Sequence, residues 1–194
     1  MINAQKPDLI LIGGDLIDNS VVPLYAEKMM EELTELKAPL GIYMVPGNHE
    51  YISGIRKSML FIKETPIHLL RDEVVTLPGG IQIIGRDDRS NKSRLSLQEL
   101  VKNIDPAKPV ILLDHQPYNL SDTENAGIDL QFSGHTHRGQ VWPISLITDH
   151  LFDQRLRLPQ VGKQPHIRFL RPVALGAAFQ DRNRQRTCRI QHYL

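Results

Sequence analysis

A single cysteine, Cys188, is all that 194 residues supply. An internal disulfide framework and a cysteine-based zinc site are thereby excluded. No apolar run approaches the roughly 20 residues that a membrane-crossing helix needs. No basic, apolar, small-residue leader opens the chain either. Met1 is followed almost at once by Pro7-Asp8 and a strand pattern, which leaves little room for a targeting segment. The chain therefore reads as soluble. Net charge is nearly absent as well: at +1 it argues neither for nor against a nucleic-acid or membrane partner. No internal repeat is visible. What remains is ordinary, with 41% hydrophobic and 23% charged residues, enough for a substantial core.

Apolar runs and their punctuation give the organisation. Residues 9–12 form a short run ended by Gly13-Gly14 and read as a buried strand. Residues 21–36 read as a helix with Tyr25, Met29, Leu33 and Leu36 on one face, stopped by Pro39. A strand over 40–45 and a helix over 55–63 follow. Residues 74–77 and 81–84 flank Pro78-Gly79-Gly80 as a hairpin. A helix over 95–104 and strands over 110–113 and 128–132 complete the order, which is that of an α/β layered domain.

Polar clusters stand immediately after these strands. They are Gly14-Asp15 with Asp18, Gly47-Asn48-His49-Glu50, Asp114-His115-Gln116-Pro117 and Gly134-His135-Thr136-His137. In open α/β sheets the crevice outside the strand carboxyl ends is where ligands bind, so one sheet edge can gather all four. Carboxylate, amide oxygen and imidazole together suit a hard or borderline divalent cation such as Mn, Fe, Zn or Ni. Asp15 has two oxygens and can bridge two cations. Asn48, His115, His135 and His137 offer one ligand atom each, and His49 is better placed as a general acid for the leaving-group oxygen. Plainer readings stand beside these. Asp18 either caps the following helix or orients its neighbours. Asp87-Asp88 closes a turn after the hairpin, with a place at the substrate mouth as the lesser reading, and Asp114 is a loop residue. His68, His150, His166 and His192 match no motif.

Gly14-Asp15-x-x-Asp18, Gly47-Asn48-His49-Glu50, His115-x-Pro117 and Gly134-His135-x-His137 resemble the calcineurin-like metallophosphoesterases. Residues 134–140 resemble the bacterial membrane-associated branch of that family. The resemblance spans about residues 8–153. It implies a four-layer α-β-β-α sandwich and a two-metal site that hydrolyses phosphomonoesters or phosphodiesters. It implies that Asp15 bridges the metals, that Asn48, His115 and His135 complete the second, and that His137 serves the first. His49 becomes the leaving-group acid and Asp18 a residue that orients its neighbours. The partner implied is a phosphate-ester substrate with no nucleic acid required, and membrane association falls to a segment that this chain does not carry.

Two departures from the family pattern give further expectations. The Asp-x-His motif upstream of Gly14-Asp15 is missing: the seven residues before Asp8 hold neither aspartate nor histidine. The first metal then keeps only Asp15 and His137, and the alternative function is an inactive or non-catalytic fragment of the fold, incomplete at both ends. The missing strand would pair with residues 9–12, so an open apolar sheet edge is expected there. Residues 1–153 are read as the metallophosphoesterase domain and 154–194 as an atypical tail. Eight arginines fall between Arg155 and Arg189, and Pro159, Pro165 and Pro172 interrupt the text. That tail should add no regular strand to the second sheet. Read one base out of frame, codons consistent with residues 155–194 can spell nearly the family's continuation, so a frameshift near Gln154 is expected.

Overall fold

Short apolar strands ended by glycine, proline or a charged residue set the frame. The structure, a computed structural model, describes residues 2–116, 118 and 120–135 and three short strand segments beyond them. Ile10–Ile12 (β1), Ile42–Met44 (β2) and Ile67–Leu69 (β3) form one sheet, all parallel, in that order. The second sheet is built from Glu73–Thr76 (β4), Gln82–Gly85 (β5), Val110–Leu113 (β6) and Leu130–Phe132 (β7). In it β5, β6 and β7 are parallel and β4 is antiparallel at the edge. Arg168–Phe169 (β8) pairs in parallel with Gln191–His192 (β10).

Alternation along each strand explains the layers. Val45, Leu70, Ile83, Ile111, Leu113, Leu130 and Phe132 meet between the sheets. Ile42, Met44 and Ile67 face the other way, against Leu33, Phe61 and Ile62 from the helices over the first sheet. Ile84, Val110 and Leu112 pack on Leu97 and Leu100 over the second. The result is the expected helix–sheet–sheet–helix sandwich. A side chain at Gly85 would collide with Leu70, so a glycine lets the two sheets approach there.

Several elements differ from the sequence expectations. Residues 21–36 are two helices, Val22–Ala26 (α1) and Met29–Thr34 (α2), because Lys28 takes the left-handed conformation at φ 58°. The break removes the single apolar face: Leu33 is buried, whereas Tyr25 sits at the surface with its ring edge on Phe61. Asn48–Ile52 (α3) is a five-residue helix that the sequence pattern does not show. Ile55–Lys63 (α4) falls where expected. The expected 95–104 helix shortens to Leu97–Leu100 (α5) with a 3-10 turn after it; Ser96 and Glu99 close its start as a capping box. Leu120–Asn125 (α6) and β3 have no counterpart among the expected elements.

The expectation that the tail adds no strand is corrected at one place. Ala177–Phe179 (β9) pairs antiparallel with β7, Ala177 opposite Phe132 and Phe179 opposite Leu130. The outer edge of β7 offers unpaired backbone groups, and Ala-Ala-Phe is an apolar stretch free of proline. Apart from β8, β9 and β10, residues 154–194, on which the frameshift expectation falls, lie outside the described residues. In the first sheet β1 has β2 as its one strand neighbour among the described residues, and Ile10, Leu11 and Ile12 are each half-buried.

Candidate metal centre

Four turns carry the expected residues to one place. Gly13-Gly14-Asp15 leaves β1, Gly47-Asn48 leaves β2, and His115 and His135 follow β6 and β7. Gly14 (φ 93°), Asp15 (φ 57°) and His135 (φ 71°) are all left-handed. For aspartate and histidine that conformation is uncommon and stores strain, a feature that concentrates at functional sites.

Four electron-pair donors converge. His115 Nε2 lies 3.1 Å from Asn48 Oδ1, 3.1 Å from Asp15 Oδ2 and 3.2 Å from His135 Nδ1. His135 Nδ1 lies 2.8 Å from Asn48 Oδ1. The ligand atoms of Asp15, His115 and His135 all fall within 4.8 Å of one another. His115 Nδ1 is 2.6 Å from the Gly13 carbonyl, so the ring donates there. In the neutral ring Nε2 then has no proton to give, and buried Asp15 Oδ2 has no hydrogen-bond partner. A set of lone pairs aimed at each other needs a cation or shared protons. Spacings of 2.8–3.2 Å are those of neighbouring ligands around a cation with bonds of about 2.0–2.2 Å. The donor set therefore fits a divalent metal.

Asp15 and His115 are electrostatically coupled. Burial disfavours the Asp15 carboxylate, but the His115 ring, the His49 backbone N–H and the His49 ring outweigh it and hold its pKa below the ordinary value. Burial likewise disfavours charge on His115, and Asp15 foremost reverses this and raises it. Each stabilises the charged form of the other, so a proton on His115 does for Asp15 what a cation would do, and a bound cation would keep Asp15 ionised and take His115 in its neutral form.

His49 lies beside this cluster. Its backbone N–H donates to Asp15 Oδ1 at 3.0 Å, and its Nδ1 is 2.7 Å from Asp18 Oδ1. Asp18 thus orients His49. It does not cap α1, whose N-cap is Val21. His137 lies outside the described residues. Asp88 does close a turn, accepting from the Ser90 backbone N–H and hydroxyl, and it also binds Gln116. Asp87 does more than the turn reading expects: it accepts from Arg71, Tyr51 and Asn91 and ties α3 to the ends of β3 and β5. Asp114 is not a plain loop residue, for it is buried and accepts from Arg86 at 2.8 Å and Arg94 at 3.0 Å.

Glu50 carries no role in the sequence reading, yet it is fully buried between the turns that carry Asp15 and Asn48. A signal for it exists in the sequence. A glutamate at the third position of a helix reaches back to the N-cap N–H, and Gly47-Asn48-His49-Glu50 has that spacing. The Arg71–Asp87 and Arg86–Asp114 pairs left no such local signal, because their partners are separated by 16 and 28 residues.

Among the described residues no helix is long and apolar enough to cross a membrane. The calcineurin-like phosphoesterase family model matches residues 1–139. A metallophosphoesterase of Helicobacter pylori strain J99 is 38% identical over 151 residues, covering 75% of this chain and 40% of its own length. One from Aquifex aeolicus is 37% identical over 141 residues, covering 70% of this chain and 52% of that protein. A bovine transmembrane protein with a metallophosphoesterase domain is 29% identical over 164 residues, covering 75% of this chain and 36% of that protein. The chain thus spans about two fifths to a half of the bacterial relatives it matches. A 5'-nucleotidase precursor from Thermus thermophilus superposes on 66% of this chain and 32% of its own, with a TM-score of 0.49 and 19% identity. The chain belongs to the calcineurin-like phosphoesterase family.

Proposed function

We propose that the cluster at Asp15, Asn48, His115 and His135 holds a divalent cation and that the site hydrolyses phosphate esters. The observation that carries this reading is the convergence of four lone-pair donors around an orphaned buried carboxylate oxygen. Bound divalent cations supply Lewis-acid neutralisation of the phosphoryl oxygens and acidify the attacking water. Mn, Fe, Zn and Ni all suit the donor set. Asp15 is the residue able to serve two cations, with His137 contributing to the first. His49 works on the opposite partner of the reaction. Asp18 fixes its Nδ1, which leaves Nε2 to deliver a proton to the departing ester oxygen. Both phosphomonoesters and phosphodiesters fit this scheme. The wider protein's association with a membrane through a further segment belongs to the same proposal.

A one-metal, non-catalytic reading draws on a single observation: among the described residues one donor set is complete and no second group of ligands accompanies it. Metal analysis of the purified chain, paired with hydrolysis of aryl phosphate mono- and diesters in Mn, separates the two. Two metal equivalents with turnover support the esterase. One equivalent without turnover supports the binding module, and no metal at all refutes both.

A further inference from the structure

Glu50 offers no atom to the donor cluster, but its carboxylate accepts three backbone N–H groups from two different turns. Oε1 accepts from Ile17 at 2.9 Å. Oε2 accepts from Asp15 at 2.9 Å and from Gly47 at 2.6 Å. One oxygen therefore fastens the turn bearing Asp15 to the turn that leads into Asn48. These turns touch closely: a side chain at Gly47 would collide with Asp15 Oδ1, and a Cβ at Gly14 would meet the Gly47 nitrogen at 2.7 Å and His115 Nδ1 at 2.6 Å. Asp15 also sits in the left-handed conformation, which is uncommon for a residue other than glycine. Glu50 accepts the backbone N–H of Asp15 in that conformation.

We infer that Glu50 is a positioning residue that sets the separation of Asp15 and Asn48 and thereby the metal affinity of the site. The inference rests on the reading of Asp15 and Asn48 as metal ligands. Only a carboxylate meets the demand. Three donors converge on two oxygens, and an amide would turn an NH2 group toward one of those N–H groups. Burial without solvent access removes any water that could substitute.

The test is Mn2+ binding by titration calorimetry on the full chain, at a temperature where circular dichroism shows each variant folded. Glu50→Gln should weaken Mn2+ binding by about 10- to 100-fold, the usual effect of residues that orient ligands. Gln82→Ala serves as the control for general destabilisation. Gln82 is buried and clamps the Asp105 backbone by both N–H and C=O, away from the cluster. It should leave Mn2+ affinity at the wild-type value. Glu50→Gln binding Mn2+ like wild type overturns the inference. If Glu50→Gln does not fold, Glu50→Asp carries the same test, because the shorter carboxylate keeps the charge but cannot span both turns. Equal binding by wild type and Asp15→Ala would sink the ligand reading itself, which distinguishes that failure from failure of the Glu50 role.

Discussion

Asp114→Ala should destabilise the fold more than any turn substitution would suggest. Asp114 is 2% exposed and its Oδ2 accepts from both Arg86 and Arg94. The two arginine side chains are themselves only 16% and 13% exposed. Burial pushes the Asp114 carboxyl up, and Arg94 and Arg86 only partly pull it back. Arg86 in turn is lowered by burial first, against the pull of Asp114 and with the like charge of Arg94 adding to the lowering. Remove the carboxylate and two nearly buried cations face each other with nothing between them. Breaking a buried pair from one side costs about 3–5 kcal/mol, because the desolvation penalty stays after the attraction is gone. The packing is already imperfect, since Asp114 Oδ1, Arg86 Nε and Arg94 Nη1 have no protein partner. Replacing all three together, with Asp114→Leu, Arg86→Met and Arg94→Met, should therefore recover most of the loss. Urea unfolding followed by circular dichroism reads both. A single-variant loss below about 1 kcal/mol, the level of an exposed pair, would refute the reasoning. So would a triple variant no more stable than the single.

Asp15→Ala should abolish Mn2+ binding and hydrolysis together, as metal analysis beside an aryl phosphate assay can show. His49→Ala should keep the metal while lowering kcat by roughly 10²–10⁴-fold; metal loss in that variant would contradict its part as an acid. Tyr51 is pushed up to about 12, by burial first and by Asp87 next, against the pull of Arg71. Its folded value lies above the unfolded one, so its contribution to stability is intact below pH about 10 and is lost as pH rises toward about 12. Ultraviolet titration of phenolate should lose its latest-ionising step in Tyr51→Phe; loss of an ordinary step instead would contradict the shift.

Much of the candidate site is legible in the sequence because its donor side chains stand at strand ends. Glycine, a donor residue and a preceding apolar run sit side by side at Asp15, Asn48 and His135, and an apolar run leads into His115. The expectation of one sheet edge is corrected, because Asp15 and Asn48 follow strands of the first sheet and His115 and His135 follow strands of the second. The sandwich is readable for a similar reason: residues 110–113 are apolar throughout, as a strand covered on both faces must be. What escapes depends on distant partners or on backbone angles. Arg71 and Asp87, or Arg86 and Asp114, are ordinary charges until the fold pairs them. The break at Lys28 hides because a lysine in a helical pattern carries no sign that it turns left-handed. The strand at Ala177–Phe179 exists by virtue of the free edge of β7, not of its own pattern.

Helix α3 has a consequence for how this scaffold could be altered. Its consecutive side chains each serve a different region: Asn48 the donor cluster, His49 Asp18, Glu50 the two backbone turns, and Tyr51 Asp87 with Arg71. A single inserted or deleted residue would rotate the helix by about 100° and misalign all four at once. The segment is accordingly a keystone with no tolerance for changes in length. Arg89 lies outside that constraint: it is exposed, and its guanidinium stacks 4.6 Å from the Tyr118 ring on the stretch that follows His115.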